Sequence, residues 1–98
     1  MNLGDLLADL LDEAGGVETP ASRQYARDGV TFAIRSGEEV IELRLTADIA
    51  EAALRTPDTH PSTYGDDWIL FSPFTWDEHA QDRLGAWFRV AWRLAVAS

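Results

Sequence analysis

The stretch that most constrains how this chain can fold is the run from Thr75 to Ala97. On a helical wheel Ala80, Leu84, Trp87, Phe88, Ala91, Leu94 and Ala95 share one face, with Trp76, Val90 and Trp92 at its margins. Glu78, Asp82, Arg89 and Arg93 fall on the opposite side. That 3.6-residue period predicts an amphipathic helix with a broad apolar stripe. Thr75 followed by Glu78 has the spacing of a capping box, which places the helix start at Thr75. Asp77 and Glu78 suit the positive end of the helix dipole, and Arg89 and Arg93 the negative end. Such a stripe must be covered by another layer, and the rest of the chain supplies one.

A first helix is expected over residues 2–14. Leu3, Leu6, Leu7, Leu10 and Leu11 form its stripe, Asn2 serves as N-cap, and Gly15-Gly16 provides the left-handed stop. Val17 to Ser22 reads as a connector, and Arg23–Arg27 as a short strand. Asp28-Gly29 then signals a two-residue hairpin, because both central positions of that turn need positive φ. Val30, Phe32 and Ile34 alternate with Thr31, Ala33 and Arg35, which predicts a half-buried strand. After a turn at Ser36–Glu39, Ile41, Leu43 and Leu45 alternate with Val40, Glu42 and Arg44. The expected meander therefore has one apolar face and one face of Thr31, Arg35, Glu42 and Arg44.

Thr46 caps a second helix from Ala47 to Leu54 or Arg55. Residues 56–66, with two Pro and one Gly, read as loop. Trp68–Phe71 is apolar on both sides and is expected inside the sheet. Ser72-Pro73-Phe74 leads to the last helix. The expected architecture is a single α+β domain over residues 1–98 with element order α-β-β-β-α-β-α, its antiparallel sheet packed against the N- and C-terminal helices.

Charge and cysteine content narrow the functional classes. The formal net charge is −9, with every basic side chain an Arg, so nucleic acid is not an expected partner. The chain has no Cys, which removes disulfides, thiol nucleophiles and Cys-based zinc sites. The N-terminus is acidic rather than basic, and no apolar run reaches transmembrane length. A cytoplasmic protein without membrane contact is the expectation.

No motif specifies a reaction, and no catalytic residue, metal site or cofactor is singled out. His60, Asp66, Asp67 and His79 are the one set that could gather around a metal, but no paired-His helical spacing supports it. Solvated loop and helix-surface residues are the better reading. Ser72 is followed by Pro73 and lacks the glycine-flanked elbow of a hydrolase serine. On the sheet face Arg35, Glu42 and Arg44 are expected to project together beside Arg27 or Tyr25, a set that suits a small anion through guanidinium forks. Cross-strand ion pairing is the simpler account of the same residues. Trp68 and Trp87 fall on core positions, whereas Trp76 and Trp92 at the stripe margins are the candidates for a partner surface.

Three phrases carry a family resemblance: LRLTADIAEAAL at 43–54, the His60-Pro61 pair, and DDWILFSPFTWDEHAQDRLGAWFRVAWRLA at 66–95. Together they resemble a small bacterial family that carries a "luciferase domain" label without an established activity, over about residues 16–96. Members of that family commonly place a His just before the LRL strand. Here that position is Glu42, so any role of that His does not carry over. The architecture is more loosely similar to the MmcQ/YjbR superfamily and to acidic secretion chaperones. None of these resemblances implies a catalytic residue. The resulting expectation is a non-catalytic binding or interaction module, a homodimer joined through an aromatic helix margin or a sheet edge. A small-anion site between the open sheet face and the 56–66 loop, using Arg44, Arg35, Glu42 and His60, is second. An enzyme of unspecified reaction is third.

Overall fold

Local chemistry starts each helix where the sequence says it should, with one exception. A computed structural model describes residues 2–96, so Ala97 lies outside the described residues. Asn2 accepts a hydrogen bond from the Asp5 amide at 2.9 Å and opens α1 (Leu3–Ala14), which Gly15 closes at φ 68°. Thr46 does the same for α2 (Ala47–Ala53), accepting from the Ile49 amide at 3.2 Å. The exception is α3 (Glu78–Leu94), whose cap is Asp77, accepting from the Ala80 amide at 2.9 Å. Thr75 is therefore not the cap. Asp77 brings a full negative charge to the helix N-terminus, where a hydroxyl brings only a dipole.

Between α1 and α2 run β1 (Gln24–Arg27), β2 (Val30–Gly37) and β3 (Val40–Arg44). Asp28 and Gly29 take φ of 52° and 78°, the left-handed pair that the tight hairpin between β1 and β2 requires. After α2 come β4 (Thr59–Pro61) and β5 (Trp68–Phe71). The five strands form one antiparallel sheet in the order β1-β2-β3-β5-β4, and β5 is interior as expected. β4 is an addition to the expected elements, lying within residues 56–66. The buried Thr59 hydroxyl, 2.8 Å from Ala53 O and 2.7 Å from Thr56 O, ties it to the end of α2.

Register decides what each face carries. Tyr25, Ala33, Leu43, Ile69 and Pro61 form one cross-strand row, and Arg35, Ile41, Phe71 and Thr59 form a second. Both rows lie on the face covered by α1 and α3, where Ala33, Ile41, Leu43, Ile69 and Phe71 are fully buried. A bulge opposite Tyr25 and Ala26 leaves Phe32 without a partner, so it joins this face beside Ala33 and meets Phe88 of α3 edge-on at 5.4 Å. Ile34, opposite Glu42, turns to the other face. The expected apolar set Val30-Phe32-Ile34 is thus split by one extra residue.

From α3 the buried residues are Ala80, Leu84, Gly85, Phe88 and Ala91, with Ala95 just beyond its end. Trp87 is half-buried and packs edge-on against Phe71 at 5.1 Å. Leu94, placed on the packing stripe by the wheel, is instead 45% exposed. Among the described residues no helix is long and apolar enough to cross a membrane.

Candidate functional site

The outer face of the sheet, opposite α1 and α3, carries one row across all five strands: Gln24, Ile34, Glu42, Leu70 and His60. Glu42 and His60 are therefore on the same face, separated by Leu70. Glu42 sits between Ile34 and Leu70 and is only 5% exposed. Its Oε1 accepts a hydrogen bond from the Ser62 hydroxyl at 2.8 Å, which meets part of the cost of burying a carboxylate. His60 is exposed on the edge strand. Arg44 shares this face, two residues along β3, and its Nε donates to Asp67 Oδ2 at 3.2 Å.

Arg35 does not join them. Its pairing with Ile41 puts it on the opposite face, against the first turn of α1, where its Nη atoms lie 3.6 Å from the position a Gly4 side chain would begin. There its Nη2 donates to the Glu38 carbonyl at 2.7 Å. The bulge at Phe32 reverses the alternation after it, so Ala33 and Arg35, expected outward with Thr31, both face the helices. The four-residue set Arg44, Arg35, Glu42 and His60 is thus divided three to one between the faces. His60 and His79 stand exposed on separate elements, and among the described residues no three His, Asp or Glu side chains gather in a way that could hold a metal ion.

The two margin tryptophans occupy opposite ends of α3. Trp76 precedes the helix, packs edge-on against Phe71 at 5.5 Å, and donates its indole N–H to Glu39. Next to it on the β5–α3 link, Pro73 is buried while Phe74 is 98% exposed. Trp92 lies in the last turns of α3, with the Arg27 guanidinium 3.8 Å above its ring and Arg27 Nη1 donating to its carbonyl at 3.0 Å. Its Nε1 is buried and has no hydrogen-bond partner. Trp92 also lines a half-open groove of about 360 Å³ between the C-terminal halves of α1 and α3, with Leu10, Phe88, Arg89 and Arg93.

Sequence reasoning missed three of these features. Glu39 read as a charged turn residue and in fact bonds two separate elements. Phe74 read as linker, and the Arg27–Trp92 pairing spans 65 residues. Only the unusual exposure of an aromatic after Pro could have been suspected beforehand, since the other two depend on tertiary contacts.

No family model matches the chain, and no curated protein matches it. Among solved structures, a crystal structure of a protein from Pseudomonas syringae, a structural genomics target, is similar with a TM-score of 0.68 and 11% sequence identity. The match covers 98% of this chain and 100% of that one. At that identity the likeness shows the shared fold.

Proposed function

We propose that this chain is a small acidic binding module that acts through self-association, with the aromatic margin at the start of α3 as the contact between two copies. The observation that carries this reading is Phe74, 98% exposed beside the buried Pro73 and the anchored Trp76. Pro73 fixes its own φ and restricts Ser72 before it, and Trp76, two residues beyond the ring, is tied to Glu39, so the backbone that carries the ring is anchored on both sides. An aromatic presented in this way loses little entropy on docking and gains about 1.5–3 kcal/mol when covered.

The sheet edges support the same choice by being poor alternatives. On β1, Glu18 and Ala26 exchange backbone hydrogen bonds at 2.8 Å, which occupies part of that edge. β4 is three residues long and ends in Pro61, which has no N–H to donate. Two copies each carrying a net charge of −9 repel one another, so contact must come from apolar surface rather than charge. A two-fold arrangement that brings each Phe74 to the partner's aromatic margin satisfies that requirement.

Size-exclusion chromatography with light scattering, run from micromolar to millimolar protein, tests the reading. A mass that rises to twice the chain mass, and stays at one chain mass in Phe74→Ser, is the expected result. A strict monomer across that range, or an unaltered dimer in Phe74→Ser, overturns it.

A further inference from the structure

We infer that the groove between the C-terminal halves of α1 and α3 is a binding site for a small organic anion with an apolar body. This site lies at the opposite end of α3 from Phe74 and does not depend on the self-association reading.

Charge placement is the first observation. Among the described residues, six of the eight Arg side chains have a carboxylate within ion-pairing distance, and the two that do not are Arg27 and Arg93. Both are at Trp92: Arg27 stacks on its ring, and Arg93 follows it and lines the groove. The groove's own carboxylate, Glu13, is already engaged by Arg89 through two bonds of 3.2 and 3.0 Å. In a chain with more than twice as many carboxylates as guanidiniums, two uncompensated cations at one spot form a local positive site.

The second observation is the buried, unpartnered Trp92 Nε1. Native interiors rarely leave an indole N–H without an acceptor, so this donor is unspent, and a small turn of the ring on ligand binding would bring it to an oxygen of the ligand. Third, the groove floor is apolar, built from Leu10, Phe88 and the Trp92 ring, and its volume of about 360 Å³ is in the range of small-ligand sites. An apolar floor with Arg93 at its rim, and Arg27 on the Trp92 ring outside the lining, selects an amphipathic anion: a carboxylate on a short aryl or alkyl body. The negative end of the α3 dipole weakens anion binding there, so a bare inorganic anion should bind poorly. The apolar body is needed.

Calorimetric titration with 4-phenylbutyrate, 4-phenylbutan-1-ol and inorganic phosphate tests the site. Saturable binding of the carboxylate, at least about tenfold tighter than the alcohol or phosphate, is expected, as a charge-assisted bond is about twice as strong as a neutral one. Arg93→Gln should weaken the carboxylate about fivefold or more and leave the alcohol unchanged, because the side chain is exposed and its loss removes charge without opening the core. In ¹H–¹⁵N spectra, the Trp92 indole resonance, assigned with Trp92→Phe, should move on titration while that of Trp76 stays. No saturable binding, equal affinity for the alcohol, an unweakened Arg93→Gln or a stationary Trp92 signal would each overturn the inference.

Discussion

The indole N–H of Trp76 donates to Oε2 of Glu39, and that same oxygen accepts the backbone N–H of Leu3 at 3.0 Å. One carboxylate in the turn between β2 and β3 thus joins the first residue of α1 to the approach of α3. It also places negative charge at the N-terminus of α1, where the dipole favours it. Three parts of the chain far apart in sequence meet at a single atom.

Removing that atom should be felt. Glu39→Ala deletes two hydrogen bonds to a charged acceptor in a partly buried setting, for an expected loss of about 2 kcal/mol and a melting temperature lower by roughly 8–15 °C. Glu39→Gln keeps an acceptor without the charge and should lose about half as much. Urea titration of the three proteins measures the series, and an Ala variant as stable as the parent would show that the tie contributes nothing.

Two phenylalanines on either side of the start of α3 should respond in opposite ways. Phe88 is 1% exposed and meets Phe32, so Phe88→Ala is expected to cost about 3–5 kcal/mol. Phe74 is 98% exposed, and Phe74→Ala should change monomer stability by no more than about 0.5 kcal/mol while shifting self-association. Denaturation at low protein concentration separates the two effects. A large stability loss in Phe74→Ala would mean that the ring packs on its own chain.

How legible the fold was depends on whether a feature is local. The Asp28-Gly29 turn was readable because its backbone requirement lies in the two residues themselves. The helix starts at Asn2 and Thr46 were readable for the same reason. Phe32 lies on the covered face as expected, but the sides of Ala33, Ile34 and Arg35 were not readable, since a bulge at Phe32 inserts one residue and reverses the alternation after it. Nor was β4, whose three residues THP carry no pattern and whose pairing is supplied by β5. On the sheet face, Glu42 and Arg44 lie together as expected, Arg35 is turned away by the bulge at Phe32, and His60 joins Glu42's face only because β4 forms. The groove at Trp92 was half visible: the residue stood at a stripe margin, but its partner Arg27 is set by the sheet.

The turn gives a clean measurement of backbone strain. Gly29 has φ 78°, and a side chain added there would meet no heavy atom within 4 Å. Gly29→Ala therefore isolates the left-handed penalty from any clash, with an expected cost of about 1 kcal/mol. A neutral effect in thermal unfolding would mean that the turn relaxes to another type.

Glu42, flanked by the apolar Ile34 and Leu70, forms a part-buried polar pair with Ser62, and the pair obeys an asymmetry. Ser62→Ala removes the hydroxyl donor from a carboxylate that is 5% exposed, for an expected cost of about 1–2 kcal/mol. The double variant Glu42→Leu/Ser62→Ala removes both partners and adds apolar contact beside Ile34 and Leu70, so it should regain most of that loss. Urea unfolding of both variants checks the pair. A double variant less stable than Ser62→Ala would mean that Glu42 is held by more than this one bond.

The start of α3 separates two residues that sequence alone makes equivalent. Thr75 and Asp77 are both good N-cap types, and Thr75 has the added attraction of Glu78 at capping-box distance. The chain uses Asp77, because capping at Thr75 would wind Trp76 into the first turn and pull its indole away from Glu39 and Phe71. Gln81 reinforces the choice by donating its side-chain amide to the Trp76 carbonyl at 2.8 Å. Asp77→Ala is accordingly expected to cost about 1 kcal/mol, with the loss of a charge at the dipole's positive end included. Thr75→Ala, at an exposed position before the helix, should stay within about 0.5 kcal/mol of the parent. Amide exchange at Ala80, whose N–H the Asp77 carboxylate accepts, gives a local readout: faster exchange in Asp77→Ala and no change in Thr75→Ala. The reverse pattern would return the cap to Thr75 and release Trp76 from the tie that organises both helices.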